Sequence, residues 1–374
     1  MTEIRVSVKN TSETGGVFLT PVYLGFHDGS FDLFDAGEVA SPGLESLAED
    51  GDAALLAGER LAADADSQGF LLFGAGGPVA TGELTSDIFD IDGLSNGSLS
   101  LASMILPSND AFIGTDEAVV LFDEFGAFLG AQTLVFNGTD VYDAGTEVNT
   151  ELDAAFLNQL APNTGVTENG VVTLHPGFNG SLGNPVGEGD QLIIGGTNAA
   201  GAAITEAADF TQPGAGIAEI HINTVLKTFG TNGNNRFFGG ADDDFVEARG
   251  GSDLVFGGSG WDVLDGGNGN DTVVGGAGND ILSGGRGRDL IQGGAGDDQF
   301  YFAEGDGRDF VLDLNQEGDD QIVLAVSGVE TFDDVLDVAS ASDRGVRLIF
   351  GEGDALFLRD ADIDQLDAGD FLFA

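Results

Sequence analysis

From Gly230 to Tyr301 an apolar residue returns every nine positions without a slip: Phe237, Val246, Val255, Leu264, Val273, Leu282, Ile291 and Phe300. Each stands in the middle of a three-residue run such as Val263-Leu264-Asp265, so one side chain faces inward while its neighbours face out if the run is extended. A strand that short cannot bury a core alone, so neighbouring repeats must stack as the coils of a solenoid. After Tyr301 the period stops. There "TFDDVLDVAS" places Phe332, Val335, Leu336 and Ala339 on one helical face. "GVRLIFGEGDALFLRD" then reads as two alternating strands joined at Gly351-Glu352-Gly353-Asp354, a suitable cap for the open end of a solenoid.

Residues 1 to about 224 carry no repeat. Short β-rich runs such as "IRVSVKN", "GFLLFG", "VVLFDEFGAFLGAQTLVF", "GVVTLH" and "AEIHINTV" are separated by Gly, Asn, Asp and Ser clusters, which predicts an antiparallel β-sandwich. Leu44 to Ala63 reads as helical or irregular. The pattern divides the chain into a sandwich over 1–224, a solenoid over 225–301 and a cap over 302–374. The expected fold class is all-β.

The polar positions of the solenoid are as regular as the apolar ones. Its consensus blocks open with a glycine pair, place another glycine fourth, and put Asp at the sixth position: Asp244, Asp253, Asp262, Asp271, Asp280, Asp289 and Asp298. Glycine at these places permits the positive φ of a tight turn and lets carbonyl oxygens approach an ion. Aspartate adds a hard oxygen ligand of the kind that calcium mixes with backbone carbonyls. The blocks resemble the G-G-x-G-x-D-x-U-x nonapeptide of calcium-binding RTX proteins. The resemblance implies a parallel β-roll with two nonapeptides per coil. Each Ca2+ would then lie between turns eighteen residues apart: Asp244 with Asp262, Asp253 with Asp271, Asp262 with Asp280, Asp271 with Asp289, and Asp280 with Asp298. Departures lie at the start, where Asn235 replaces Asp, Asp242 replaces the third Gly, and Ala248-Arg249 replace the Gly pair.

Composition sharpens this picture. With 64 Asp+Glu against 12 Lys+Arg, a net charge of −52 makes the compact state repel itself unless cations bind. The 28 Phe and a 42% hydrophobic fraction argue against a disordered acidic chain. No basic cluster of the kind that neutralises nucleic-acid phosphates is evident, and no apolar run approaches the ~20 residues that span a bilayer. Cysteine is absent. The resemblance to RTX proteins implies export by the type I apparatus without a cleaved N-terminal signal, and "DAGDFLFA" resembles the C-terminal export region of such proteins. Outside the cell, calcium would fold the repeats and make disulfides unnecessary.

Two N-terminal segments concentrate polar groups: "SMILPSNDAFIG", with Asp110, and "VYDAGTEVNTEL", with Asp143 and Glu147. With "LTPVYLGFHDGSFDLFDAGEVASPGLESLAEDGD" they resemble the spondin domain. That resemblance implies a C2-like sandwich holding a metal at Asp110, Asp143 and Glu147, and an adhesive role toward matrix, polysaccharide or cell-surface partners.

No catalytic constellation stands out. The three histidines, His27, His175 and His221, are scattered, and H-E-x-x-H is absent. "GLSNG" at Gly93–Gly97 has the letters of a nucleophile elbow but lies between strand-like runs. The expected protein is therefore a secreted calcium-binding adhesion or matrix module. A hydrolase of unknown chemistry within 1–224 and a purely structural surface-layer component are the alternatives.

Overall fold

A computed structural model describes residues 1–12, 16–74, 77–106, 108, 111–145, 170–175, 210, 215–316, 318–351 and 353–374. The chain divides into two compact units, Met1–Ile222 and Asn223–Ala374.

In the first unit, Thr2–Asn10 pairs antiparallel with Leu84–Ile91, and on its other side with the strand that begins at Gly216, which in turn pairs with Gln132–Asn137. A second antiparallel sheet runs in the order Thr173–Leu174, Tyr142–Asp143, Ala111–Gly114, Ser98–Leu106, Val22–His27, Gln68–Leu72. Alternation decides what lies between the sheets. Ile4, Val6 and Val8 of the first share one core with Val22, Leu24, Phe26, Leu99 and Leu101 of the second. Phe89 packs across it against Phe26 and Phe70 at ring distances of 6.0 and 4.4 Å. This is the sandwich that the alternating runs predict.

The segment read as helical or irregular forms two helices, Pro42–Asp50 and Ala54–Ala63. Ser41 caps the first through its hydroxyl, which accepts from the Leu44 N–H, and Gly51 ends it in the left-handed region. Glu59 of the second helix ties the pair together, accepting from the Gly43 N–H at 2.8 Å and the Ser41 hydroxyl at 2.6 Å. Leu44, Leu47 and Leu56 pack with Tyr23, Ala102 and Phe112 in a second core on the outer face of the sheet.

The second unit is a parallel solenoid. One row of strands runs from Asp243–Glu247 through Val263–Asp265, Ile281–Ser283 and Gln299–Ala303 to Gln321–Ala325 and Phe371–Phe373. The other runs from Arg236–Phe238 through Leu254–Ser259, Thr272–Ala277 and Leu290–Ala295 to Arg308–Val311 and Asp354–Arg359. The registers Val255↔Val273 and Leu264↔Leu282 show that one coil takes two nonapeptides. The inward column from Val255 to Phe300 is almost fully buried and continues into Val311, Ile322, Leu356, Leu358 and Phe371.

The coils therefore continue where the nine-residue period ends. Gly345–Gly351 and Asp354–Arg359 form the expected hairpin, with Gly351 opposite Asp354. The expected helix is Phe332–Val338, opened by a Thr331/Asp334 capping box. Its inward face is narrower than the helical reading: Val335 is buried, but Leu336 is 40% exposed. The apolar tail ends as a strand, Phe371–Phe373, on Ile322–Leu324.

Candidate metal centre

Along the solenoid, Asp244 accepts within its own repeat, from the Gly240 N–H to its Oδ2 at 3.1 Å, and each later sixth-position carboxylate is held in one way. Its Oδ1 accepts the backbone N–H of the residue one coil earlier. Asp262 accepts from Asp244, Asp271 from Asp253, Asp280 from Asp262, Asp289 from Asp271 and Asp298 from Asp280, all at 2.7 to 2.9 Å. The structure thus links the same pairs that the sequence couples at eighteen residues. Asp244 and Asp253, in the degenerate opening blocks, are buried like the rest. Asp253 accepts from the Asn235 N–H at 2.5 Å.

The second oxygen is the chemically informative one. Oδ2 of Asp253, Asp271, Asp289 and Asp298 is buried and has no hydrogen-bond partner. Burial raises the carboxyl of Asp271 to about 6 and that of Asp298 to about 7, because the charged form has lost its water. Asp289 and Asp309 are raised by the same desolvation, and Asp309 further by the neighbouring Asp289 carboxylate. Such carboxylates need a proton or a cation.

Glycine shapes the cradle in two ways, one of them not anticipated by the sequence reading. At the second and fourth positions of the consensus blocks it adopts positive φ, as expected: 130° at Gly276 and 120° at Gly278. The first position, exemplified by Gly275, is not in that region. Glycine is needed there because a Cβ would lie 2.2 Å from Oδ2 of Asp280 and 2.8 Å from the Gly293 carbonyl oxygen. The carboxylate and a carbonyl of the next coil converge on the space that a side chain would fill.

Among the described residues no three His, Cys, Asp or Glu side chains gather at one point. A cation in this ladder would therefore take carboxylate oxygens together with backbone carbonyls, a mixture that suits calcium and not a histidine-bound transition metal. Calcium would supply the positive charge that lets these buried aspartates ionise.

The ladder runs beyond Asp298. Asp309 accepts from the Asp289 N–H at 2.9 Å, Asp320 from the Asp298 N–H at 3.0 Å, and Asp313 from the Gly293 N–H at 3.0 Å. The separations are 20 and 22 residues for the first two, so a strict nine-residue frame misses them. A looser signal was present: Gly307-Arg308-Asp309-Phe310-Val311 echoes Gly287-Arg288-Asp289-Leu290-Ile291, and Gly318-Asp319-Asp320-Gln321-Ile322 echoes Gly296-Asp297-Asp298-Gln299-Phe300.

In the first unit, Asp110 and Glu147 lie outside the described residues. Asp143 is buried at a strand end, in register with Ala111, and its Oδ1 accepts from the Gly145 N–H at 2.6 Å. His175 lies near enough to feel its charge, although burial dominates and lowers the imidazole to about 4, leaving it neutral. Burial also lowers the imidazole of His27. Its Nδ1 accepts from the Gly29 N–H at 3.0 Å, so Nε2 carries the proton toward the Ser100 hydroxyl, also 3.0 Å away. His221 bonds Thr133. Ser95 sits in a turn between Leu84–Ile91 and Ser98–Leu106, its hydroxyl on Asp92, in a strand-turn-strand setting unlike a nucleophile elbow.

This is a β-roll of the calcium-binding kind, following an antiparallel sandwich. Family models match accordingly: Spondin_N over residues 19–161, and the RTX calcium-binding nonapeptide repeat in four copies over 229–264, 238–273, 256–291 and 274–309. The chain joins a spondin N-terminal domain to RTX repeats, and those repeats bind calcium. Neither matched model is that of a catalytic domain. No curated protein matches. Among solved structures, the extracellular lipase LipA from Serratia marcescens is similar at 17% identity, over 40% of this chain and 40% of the lipase, with a TM-score of 0.22. The AlgE6R3 subunit of the Azotobacter vinelandii mannuronan C5-epimerase is similar at 22% identity, over 38% of this chain and 81% of that one, with a TM-score of 0.23. No helix among the described residues is long and apolar enough to cross a membrane.

Proposed function

We propose that this is an exported calcium-binding protein whose C-terminal unit folds when it meets extracellular calcium, and whose spondin-like unit attaches it to a matrix, polysaccharide or cell-surface partner. The observation that carries the first half is the row of buried aspartates from Asp253 to Asp298, each tied by one oxygen to the previous coil, four of them with the other oxygen unpartnered. Asp244, Asp253, Asp262, Asp271, Asp280, Asp289 and Asp298 are the proposed ligands. Asp309 and Asp320 extend the same ladder. Free calcium in the cytosol lies well below the ~10⁻⁴–10⁻³ M affinity range of extracellular modules, so the acidic repeats would stay open until exported. Type I export, with 302–374 as cap and export region, accords with the RTX repeats and the acidic, cysteine-free composition.

The test uses Trp261, the chain's one tryptophan, 8% exposed within a consensus turn. Its backbone N–H donates to Asp243 at 3.0 Å, in the packing of one coil on the previous one. Titrating the chelated protein with calcium should shift its fluorescence and raise the far-ultraviolet β signal, while magnesium does so poorly. Equal signals in chelator and in millimolar calcium would refute calcium-driven folding. The attachment role rests on the spondin match and on Asp143 lying buried beside Ala111. Calcium-dependent retention on matrix, polysaccharide or envelope fractions, lost in Asp143→Ala, supports it. Retention by none of them overturns it.

A further inference from the structure

In a chain with 64 acidic residues and only 12 Lys+Arg, four of the twelve line a single cleft. Arg288, Arg308, Arg344 and Arg347 surround an open space of about 650 Å³ on the C-terminal unit, together with Phe310 and Phe357. The strand registers explain the assembly: Leu290 lies beside Phe310, Phe310 beside Phe357, and Phe357 beside Arg347. Arg308 stands two residues from Phe310 on the same strand, hence on the same face. Arg288 reaches over the Phe310 ring, 4.9 Å from its centroid, and the Arg308 Nε–H donates to the Gly353 carbonyl at 3.2 Å. All four arginines are exposed and both phenyl rings are half-buried. Among the described residues, none of the four guanidinium groups makes an ion pair. Asp309 also lines the cleft, but its carboxylate accepts from the Asp289 N–H within the ladder.

Four guanidinium groups held apart from so many carboxylates mark a place for an external anion. We propose that this cleft binds an anionic saccharide, a sugar bearing a carboxylate or sulfate. Planar guanidinium forks match the paired oxygens of such groups, and phenyl faces offer apolar area to the C–H face of a sugar ring. Phe310 already carries Arg288, and a bare inorganic anion would make no use of the Phe357 ring. A dense polyanion such as nucleic acid is opposed at longer range by the −52 charge, which favours a short stretch or a chain end. This proposal does not rest on the partner proposed for the spondin-like unit.

The test is calorimetric titration of the full chain in millimolar calcium with trigalacturonate, sulfated maltotriose, neutral maltotriose, inorganic sulfate and adenosine monophosphate. One or both anionic trisaccharides should bind. Arg344→Gln/Arg347→Gln and, separately, Phe357→Ala should each weaken that binding about tenfold or more, as loss of charge-assisted or stacking contacts does. The Trp261 response to calcium reports whether each variant is folded, and Arg344→Gln alone, in the turn before Gly345–Gly351, serves if the double variant is not. Uronate held only through roll calcium would bind the double variant unchanged, which overturns the proposal. So would neutral sugar binding as tightly, sulfate or the nucleotide binding more tightly than either trisaccharide, or no binding at all.

Discussion

At the scale of single residues, the first glycine of a consensus repeat is needed for space alone, whereas the second and fourth combine crowding with positive φ. Gly275→Ala would drive a Cβ to within 2.2 Å of Asp280 Oδ2, whereas Gly240, one position further along its own repeat, has nothing within 4 Å and no positive φ. Gly275→Ala should cost about 1–3 kcal/mol and weaken the calcium response. Gly240→Ala should leave the titration unchanged. Calcium titration of the two proteins side by side checks the pair, and equal behaviour would contradict the cradle. Proton linkage is fixed at the same scale. Asp271 and Asp320 raised to about 6, and Asp298 to about 7, hold protons in the folded roll that the unfolded chain releases near 4. In chelator, stability is therefore full below about pH 4 and falls as pH rises through 6 to 7. Urea midpoints from Trp261 fluorescence should be lower at pH 7.5 than at pH 4.5, and calcium should reverse that order by replacing the protons.

At the scale of elements, the solenoid is held by two columns, apolar inside and carboxylate at the turns, and both outlast the strict repeat. Val311 and Ile322 continue the apolar column through the registers Ile291↔Val311 and Phe300↔Ile322. Asp309 and Asp320 continue the acidic one. Asp309→Asn and Asp320→Asn should each reduce the affinity or cooperativity of the calcium transition although both lie beyond the nine-residue array. A titration matching the parent would confine the metal ladder to residues up to Asp298. Leu282→Ala, in the middle of the apolar column, should cost about 2–5 kcal/mol, read as a fall in the calcium-bound denaturation midpoint. The contrast also shows what the sequence could reveal. Asp262 to Asp298 were legible because chain and coil share one period, so counting residues is counting turns. Asp309 and Asp320 were hidden because coils of 20 and 22 residues keep the turn chemistry while shifting the frame. The sandwich runs were legible by alternation, but the burial of Leu44, Leu47 and Leu56 under the sheet's outer face depends on tertiary packing that periodicity does not encode. The inward orientation of Leu336 failed for a similar reason: a helix of 7 residues turns only Val335 fully onto the core.

At the scale of the whole molecule, the two units place their stability in different accounts of free energy. The first encloses a continuous apolar core in which Ile4, Val6, Phe26, Leu101 and Ile113 are fully buried, and hydrophobic burial of this kind needs no metal. The second stacks short strands through a narrow apolar column flanked by buried carboxylates, and keeping those groups ionised there costs free energy that a bound cation would offset. A ligand at about 100 times its dissociation constant stabilises by roughly 2.7 kcal/mol per site, and several coupled sites in one ladder would make the transition steep in calcium. Limited digestion with chymotrypsin, mapped by mass spectrometry, should therefore show calcium-dependent protection within 223–374. Cleavage within the strands Thr2–Asn10, Val22–His27 and Ser98–Leu106 should stay slow with or without chelator. If chelator exposed both units alike, the sandwich would depend on metal as the roll does, and a structural cation near Asp143 would become the first place to look. If it exposed neither, the buried aspartates would be stable in their protonated form, and calcium would be a passenger in the roll.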